Sequence, residues 1–285
     1  MTVGCVVLTT GHRPRELAAA IESVRHQHGI EVEVVIVWNA AEGVRPDVEG
    51  VRVVEPGVNL GIPAGRNVGV EHLPGHELIL FLDDDAVLVG EDVLRSAVDA
   101  FDRDPSLGAI SLRIVDPETG ETQRRHVPRL RVGDPSRSSW VTTFLGGASI
   151  VRRDAFVAVG GLPGEFFYAH EETSLAWRML DRGYRIWYAG DLQLAHPALP
   201  PSRHAEYHRL TARNRVLLAR KHLPGPIAVV YVPLWFLVSL ARDRASWRAT
   251  LGGFRAGLRF PGVERDPIRW RTVLRMLWYG RPPLL

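Results

Sequence analysis

Three consecutive aspartates, Asp83, Asp84 and Asp85, directly follow the apolar residues 78–82. Three adjacent carboxylates repel one another, and a divalent cation that prefers hard oxygen ligands, Mg²⁺ or Mn²⁺, would compensate them. Because side chains alternate along an extended segment, we expect Asp83 and Asp85 to point the same way and Asp84 to point opposite. The triplet therefore predicts a metal site, and an acidic cap on the following helix is the alternative.

A second acidic pair, Glu171 and Glu172, stands at the start of a helix predicted over residues 172–182 and ended by Gly183. A carboxylate near a helix N-terminus is held in place, although the helix dipole lowers its basicity. Such a group can take a proton from a reacting hydroxyl. Simple capping of the helix is the other interpretation that the sequence leaves open.

A glycine-containing segment, residues 59–69, lies shortly before the aspartates. Gly61 and Gly65 allow a close approach of the backbone to a ligand or a neighbouring element. Arg66 can hold a phosphate or one of the aspartates. A surface salt bridge is the alternative role for this arginine.

The first half of the chain alternates strands and helices, which predicts a parallel α/β sheet. Predicted strands cover residues 3–8, 33–37, 51–55, 78–82 and 108–114, and predicted helices cover 16–27, 67–72 and 92–101. Ligands bind at the carboxyl ends of such strands, so the loops after residues 8, 37 and 82 are the expected site. Residues 116–143 are a predicted loop excursion, followed by a strand within 144–151, helices over 153–159 and 172–182, and a strand over 185–188.

In their order and spacing these segments resemble family 2 glycosyltransferases, in particular bacterial rhamnosyltransferase-like members. The resemblance covers about residues 2–200 and rests on the opening strand with Thr9-Thr10, on Asn59-Leu60-Gly61 and Arg66-Asn67-Val68-Gly69, on the aspartates, and on Glu171-Glu172-Thr173-Ser174-Leu175. It implies the GT-A fold, a nucleotide-binding mixed sheet flanked by helices over residues 1–202. The nucleotide-binding half would be about 1–115 and the acceptor half about 116–202, with a helical extension over 203–285.

The resemblance also implies the site residues. Donor-binding positions would be Thr9, Thr10, His12, Arg13, Trp38, Asn39, Asn59, Gly61, Arg66, Asp83, Asp84, Gly147 and Ala148. His196 would complete the metal shell with Asp83 and Asp85 or contact the diphosphate, and a structural role is the alternative. Trp38 stands where the family usually has an aspartate that binds the base, so Trp38 would stack on the base and Asn39 would hydrogen-bond its edge.

The implied reaction is an inverting transfer of a sugar from a nucleotide-diphosphate donor to an acceptor hydroxyl, using Mn²⁺ or Mg²⁺. Glu172 is the expected general base and Glu171 the alternative. The chain lacks a Gln-x-x-Arg-Trp segment, the mark of processive synthases, so transfer of a single sugar is expected. The acceptor would be a saccharide, a lipid-linked saccharide or a natural product. Arg213-Asn214-Arg215 resembles an Arg-Asn segment common in the tails of bacterial members, and either Arg213 would reach the diphosphate or the run would only line the membrane face.

The C-terminal part carries a different charge from the rest of the chain. Residues 1–201 hold 19 Arg and 28 acidic residues, a net charge of −9, whereas residues 202–285 hold 15 Arg, one Lys and 4 acidic residues, a net charge of +12. Predicted helices cover 205–222 and 267–279, and the apolar run 227–240 is shorter than the roughly 20 residues of a membrane span. The Trp/Leu face and flanking arginines of residues 267–279 are typical of an interfacial helix. An anionic membrane is the expected partner, and packing on the catalytic domain or in a homodimer is the alternative.

Other classes of protein fit less well. The single cysteine, Cys5, excludes an intrachain disulfide and a cysteine-based zinc site. A signal peptide is not recognisable, so we expect a cytoplasmic protein, peripheral on the inner face of the membrane. A GT-A-like nucleotidyltransferase would have a glycine-rich basic loop after the first strand, which residues 9–14 match poorly. A non-catalytic protein that binds nucleic acid through its basic tail is disfavoured because the tail lacks a nucleic-acid motif.

Overall fold

The computed structural model describes residues 1–39, 45–197 and 206–284. Within these residues the strands are β1 (Val3–Thr9), β2 (Val32–Trp38), β3 (Arg52–Val54), β4 (Leu78–Asp83), β5 (Val87–Val89), β6 (Leu107–Val115), β7 (Ser139–Trp140), β8 (Ala148–Arg152) and β9 (Arg185–Ala195). The helices are α1 (Pro14–Arg25), α2 (Gly61–Glu71), α3 (Val93–Arg103), α4 (Arg153–Ala158), α5 (Glu171–Arg182), α6 (Tyr207–His222), α7 (Gly225–Arg242), α8 (Trp247–Arg259) and α9 (Trp270–Trp278).

The strands of the described chain form one nine-stranded sheet in the order β3-β2-β1-β4-β8-β6-β9-β5, with β7 paired to β9. The first four strands in this order are parallel, as the alternation of elements predicts. Strand β8 is antiparallel to both β4 and β6, so the sheet as a whole is mixed. The register pairs Leu8 with Asp83 and Thr9 with Trp38, which places the carboxyl ends of β1, β2 and β4 side by side.

The sheet is buried on both faces. Along β1, Val6 belongs to one apolar core and Cys5 and Val7 belong to the other. Along β4, Phe81 faces the first core and Leu82 the second. Strands covered on both faces read as continuous apolar runs, which is why residues 3–8 and 78–82 were recognisable in the sequence.

Helix α2 begins at Gly61, earlier than the predicted start at residue 67, because glycines let it approach other backbone closely. A Cβ at Gly65 would lie 2.5 Å from a methyl of Leu8, and a Cβ at Gly69 would lie 2.3 Å from a methyl of Val6. Gly61 has φ +76°, and a Cβ there would lie 2.4 Å from the carbonyl oxygen of Phe167. Most of the glycine-containing segment is therefore a helix packed on β1.

The C-terminal helices pack on α5. Ser174 Oγ on α5 lies 2.8 Å from His222 Nε2 at the end of α6. Asp181 accepts hydrogen bonds from the backbone of Arg269 at 2.7 Å and from the hydroxyl of Thr272 at 2.6 Å. The sequence did not predict α8, and α7 extends to 18 residues, beyond the apolar run 227–240. The predicted boundary at residue 202 lies outside the described residues.

Candidate active site

An open pocket with about 990 Å³ of empty space lies at the carboxyl ends of β1 and β4. Most of the predicted site residues line it: Thr9, Thr10, His12, Arg13, Asn39, Asn59, Gly61, Arg66, Asp83, Asp84, Asp85 and His196. Phe167 and Tyr168, which the sequence did not single out, form part of its wall. The structure thus brings together residues that are far apart in the chain, and their individual roles stay predictions.

Asp83, Asp85 and His196 form a group whose candidate ligand atoms all lie within 4.8 Å of one another. His196 Nε2 is 3.1 Å from an oxygen of Asp85 and 4.0 Å from one of Asp83. Burial opposes a charge on His196, but the hydrogen bond that the imidazole donates to Asp85 and the nearby carboxylates outweigh it and raise the pKa of the imidazole. Two carboxylates and an imidazole form a donor set that can hold a divalent cation.

Asp84 does not belong to this group among the described residues. Its carboxylate accepts a hydrogen bond of 2.6 Å from the hydroxyl of Thr9 and lies 3.3 Å from the guanidinium of Arg13. Arg13 also forms an ion pair with Asp85. Burial raises the pKa of Asp84 although Thr9 and Arg13 act in the opposite direction. Thr9 at the end of β1 and Arg13 in the loop after it therefore hold Asp84 and Asp85 in place.

Arg66 is buried beneath the aspartates, with 4% of its side chain exposed, and donates a hydrogen bond of 2.8 Å to Asp83. Its guanidinium also lies 5.7 Å from the ring centre of Phe81. A surface salt bridge does not describe this arginine. It supplies a buried positive charge between the aspartates and the acidic pair on α5.

Glu171 and Glu172 form the first turn of α5. Glu171 is buried, and within the described ranges one of its carboxylate oxygens has no hydrogen-bond partner. Glu172 is half-buried and lies beside Gly146, where an added Cβ would be 2.3 Å from its Oε1 and 2.4 Å from a nitrogen of Arg66. Burial raises the pKa of both carboxyls; the charge of Glu172 adds to the effect on Glu171, while Arg66 opposes it on both. A raised pKa brings a carboxylate closer to the range in which it acts as a general base.

The loop before α5 has strained backbone dihedral angles and is hydrogen-bonded to α6. Phe167, Ala169 and His170 have φ between 61° and 69°, a region that non-glycine residues rarely adopt. Asn214 Nδ2 on α6 lies 2.8, 2.6 and 2.9 Å from the carbonyl oxygens of Phe166, Tyr168 and Ala169. The neighbouring arginine, Arg213, donates to the carbonyl oxygens of residues 165 and 166 and does not reach the aspartates within the described part of the chain.

The remaining predicted positions differ in their surroundings. A Cβ at Gly147 would lie 2.0 Å from the carboxyl carbon of Asp83, so only glycine fits there. Ala148 begins β8 and pairs with Leu82. The amide of Asn39 accepts from the backbone N–H of Leu60 at 2.8 Å and donates to the carbonyl of Gly61 at 3.0 Å, so it holds the loop before α2.

Trp38 does not line the described pocket. Its indole nitrogen is buried and has no hydrogen-bond partner among the described residues. Residues 40–44, which follow Asn39, lie outside the described residues. Recognition of the base by Trp38 and Asn39 stays a prediction.

A mixed sheet with an acidic cluster at the end of β4 and a second acidic pair across the pocket defines a GT-A glycosyltransferase. A model of glycosyl transferase family 2 matches residues 5–160, more than half of the chain. The chain therefore belongs to glycosyl transferase family 2, and the predicted family, fold and enzyme class are confirmed. No curated protein matches the chain.

Solved structures share the fold at low identity. The mannosyltransferase PcManGT from Pyrobaculum calidifontis, in complex with GDP-Man and Mn²⁺, is 19% identical with a TM-score of 0.55, over 97% of this chain and 84% of that one. S. aureus TarS 1–349 in complex with UDP-GlcNAc is 14% identical with a TM-score of 0.61, over 96% and 83%. GalNAc-T7 with UDP, GalNAc and Mn²⁺ is 12% identical with a TM-score of 0.62, over 92% and 56%. The chain covers 40% of a longer TarS structure.

Proposed function

We propose that the chain is an inverting, non-processive glycosyltransferase that moves one sugar from a nucleotide-diphosphate donor to an acceptor hydroxyl. The observation that carries the proposal is that the Asp83–Asp85–His196 group and the Glu171–Glu172 pair meet across one buried arginine, Arg66. The complexes of PcManGT with GDP-Man and Mn²⁺ and of TarS with UDP-GlcNAc support a nucleotide-sugar donor in this fold.

Asp83, Asp85 and His196 are the residues that would hold Mn²⁺ or Mg²⁺. The cation, when bound, would neutralise the diphosphate leaving group as its bond to the sugar breaks. Thr9 and Arg13 keep the aspartate loop in place through their bonds to Asp84 and Asp85. Arg66 keeps Asp83 oriented from beneath the pocket.

Glu172 is the proposed general base. Its carboxylate lies at Gly146 beside Arg66, whereas Glu171 is buried in the first turn of α5. A base on the acceptor side takes the proton of the attacking hydroxyl as the new bond to the anomeric carbon forms, and a single displacement of this kind inverts that carbon. Burial raises the pKa of Glu172, and the charge of Glu172 adds to the effect of burial in raising the pKa of its neighbour Glu171.

A thermal-shift screen tests the donor site. UDP, GDP, dTDP and CDP are each added with and without Mn²⁺ to the wild-type protein, to Asp85→Ala and to Asp99→Ala, whose carboxylate is exposed on α3. We expect one nucleotide to stabilise the wild type and Asp99→Ala only with Mn²⁺, and Asp85→Ala to lose that shift. Stabilisation by none of the nucleotides, or equal shifts without Mn²⁺, would refute the proposal.

The tail would attach the enzyme to the cytoplasmic face of a membrane. Apolar side chains are exposed on α7 and along one face of α9, namely Val229, Val230, Leu234, Leu237, Trp270, Leu274, Leu277 and Trp278. Among the described helices α7 is long and apolar enough to span a membrane. Its opposite side packs on α6 and α8 through Val232, Trp235 and Phe236. Because a spanning helix would lose these contacts, we favour a tail that lies on the surface.

Co-sedimentation with phosphatidylglycerol vesicles tests this attachment. We expect Leu274→Ser combined with Trp278→Ser to weaken vesicle binding. Val157→Ser, at a 59% exposed apolar position on α4, should not weaken it. A homodimer is the competing way to cover the same face. A dimer in lipid-free solution that the double variant dissociates, with no vesicle binding by the wild type, would replace the membrane proposal.

A further inference from the structure

A second pocket, with about 430 Å³ of empty space, lies behind the first turn of α5. Residues of α5, α6, α7 and the C-terminal segment line it, and in the described chain it shares no lining residue with the pocket at the aspartates. His170 and Thr173, which flank Glu171 and Glu172 in sequence, belong to its wall. The guanidinium groups of Arg215 and Arg281 also belong to it.

This second pocket is cationic without a carboxylate in its described lining. Arg215 stacks 3.6 Å from the ring centre of Trp235 and hydrogen-bonds the hydroxyl of Tyr231 at 3.4 Å, and it makes no ion pair within the described residues. Burial, followed by the charges of Arg215 and Arg281, lowers the pKa of His170 well below its usual value. The guanidinium of Arg215 has no carboxylate partner among the described residues; burying it is costly, and an anionic ligand offsets that cost.

The groups around these charges suit an oxyanion. The Nε2 atom of His170 is buried and has no hydrogen-bond partner among the described residues. Thr143 and Thr173 add hydroxyls, whose oxygens lie 3.3 Å apart. Planar guanidinium groups, an imidazole and hydroxyls together are donors that bind phosphate oxygens.

We propose that this pocket binds the phosphate or diphosphate of a phosphorylated acceptor, and this inference rests on the function proposed above. A group held by His170 and Thr173 would lie at the first turn of α5, which carries the carboxylate pair, in a pocket that shares no described lining residue with the one at the aspartates. Tyr231 and Trp235 belong to α7, whose exposed apolar residues leave a path for a lipid chain attached to that phosphate. A lipid-linked saccharide phosphate therefore fits both the charge and the position.

Kinetics with paired acceptors test the inference. One acceptor is a saccharide with a short alkyl diphosphate at its reducing end and the other is the same saccharide with a neutral alkyl group. We expect Arg215→Gln to raise KM for the diphosphate acceptor at least about tenfold, with a smaller rise for Arg215→Lys, and to leave KM for the neutral acceptor unchanged. Arg255→Gln, on the exposed side of α8, is the matched control and should change neither KM.

Two further measurements separate the possible failures. Binding of inorganic pyrophosphate by calorimetry in EDTA should weaken in Arg215→Gln and not in Asp85→Ala. If wild-type protein shows metal-dependent nucleotide binding but Arg215→Gln leaves both pyrophosphate binding and the acceptor preference intact, the pocket assignment is wrong while the enzyme assignment stands. If Arg215→Gln weakens only binding to anionic vesicles, the pocket takes a phospholipid headgroup and the acceptor assignment is overturned. A melting temperature close to that of the wild type is required of each variant.

Discussion

Replacing Asn214 with alanine should disable the acidic pair on α5 and leave the Asp83–Asp85–His196 group of the donor pocket in place. The side-chain amide reaches three carbonyl oxygens of the loop that precedes Glu171. That loop ends at His170, whose φ of 69° sets the direction in which α5 starts. Without the amide the loop can relax toward ordinary dihedral angles, and Glu171 and Glu172 would move with it.

The contacts of Asn214 set the size of the expected loss in the free energy of unfolding. Phe167, Ala169 and His170 each cost about 1–2 kcal/mol for their left-handed conformation. Each hydrogen bond of the amide contributes about 0.5–1.5 kcal/mol, and two hydrogens serve three carbonyl oxygens. With the cost of buried carbonyls left without a donor, we expect Asn214→Ala to lower the free energy of unfolding by about 2–4 kcal/mol. The corresponding fall in melting temperature is about 3–7 °C for a chain of this length.

Transfer should fall as well, by about 10- to 100-fold in kcat, because displacement of a reacting group by about 1 Å has an effect of this size. The assay is sugar transfer well below the melting temperature, with metal-dependent nucleotide binding measured alongside. We expect nucleotide binding to weaken less than kcat falls, because this loop contributes Phe167 and Tyr168 alone to the described lining of the donor pocket. Gln27→Ala is the matched control, since this buried amide donates to the carbonyl of Gly90 at 2.7 Å and accepts from the N–H of Leu94 at 3.0 Å, after the C-terminus of α1. It should lose stability and keep kcat. If Asn214→Ala keeps kcat as well, the amide only stabilises the fold and the positioning argument is refuted.

Three further changes probe the pocket. Asp85→Ala should lower Mn²⁺-dependent donor hydrolysis at least about 100-fold, and unchanged metal dependence in that assay would remove Asp85 from the metal site. Glu172→Gln should leave nucleotide binding intact and reduce transfer about 10²- to 10⁴-fold; if only Glu171→Gln does so, Glu171 is the base. Gly147→Ala places a Cβ 2.0 Å from the carboxyl carbon of Asp83 and should weaken Mn²⁺ binding in a calorimetric titration, so wild-type affinity in that variant would contradict the geometry.

The sequence predicts the parts of this site that rest on local patterns. The aspartates were recognisable because they end an apolar run, and the register of β1 with β4 then places Thr9 and Arg13 beside them. The carboxyl ends of parallel strands lie at the same edge of a sheet, so the loops that follow the predicted strands identify most of the residues of the pocket. The start of helix α2 was predicted at residue 67 instead of residue 61. Its glycines lower the helix propensity, and tertiary contact with β1 stabilises the first turn.

Features that depend on distant contacts were not predictable. The strained loop before α5 contains no glycine, so nothing in its own sequence marks the left-handed residues. Asn214 lies 45 to 48 positions from its three partners. Its segment was noticed in the sequence, but its contact with this loop is recognisable only once α6 packs on α5. The cationic pocket combines Arg215 with Arg281 from the far end of the tail, and a count of charges gives no sign that they face inward.

The charge of the tail consequently has a different meaning from the one that composition suggests. Arg213 holds the loop before α5, and Arg215 lines the cationic pocket. Arg220 donates to the carbonyl oxygens of Gly257 and Phe260 at the end of α8, at 2.7 and 2.9 Å. These cations serve the fold and the proposed acceptor site, so only the exposed remainder can attract a membrane. The apolar faces of α7 and α9 must then contribute most of the proposed attachment, and a membrane held through α7 would lie beside the pocket that is proposed to receive the acceptor's phosphate.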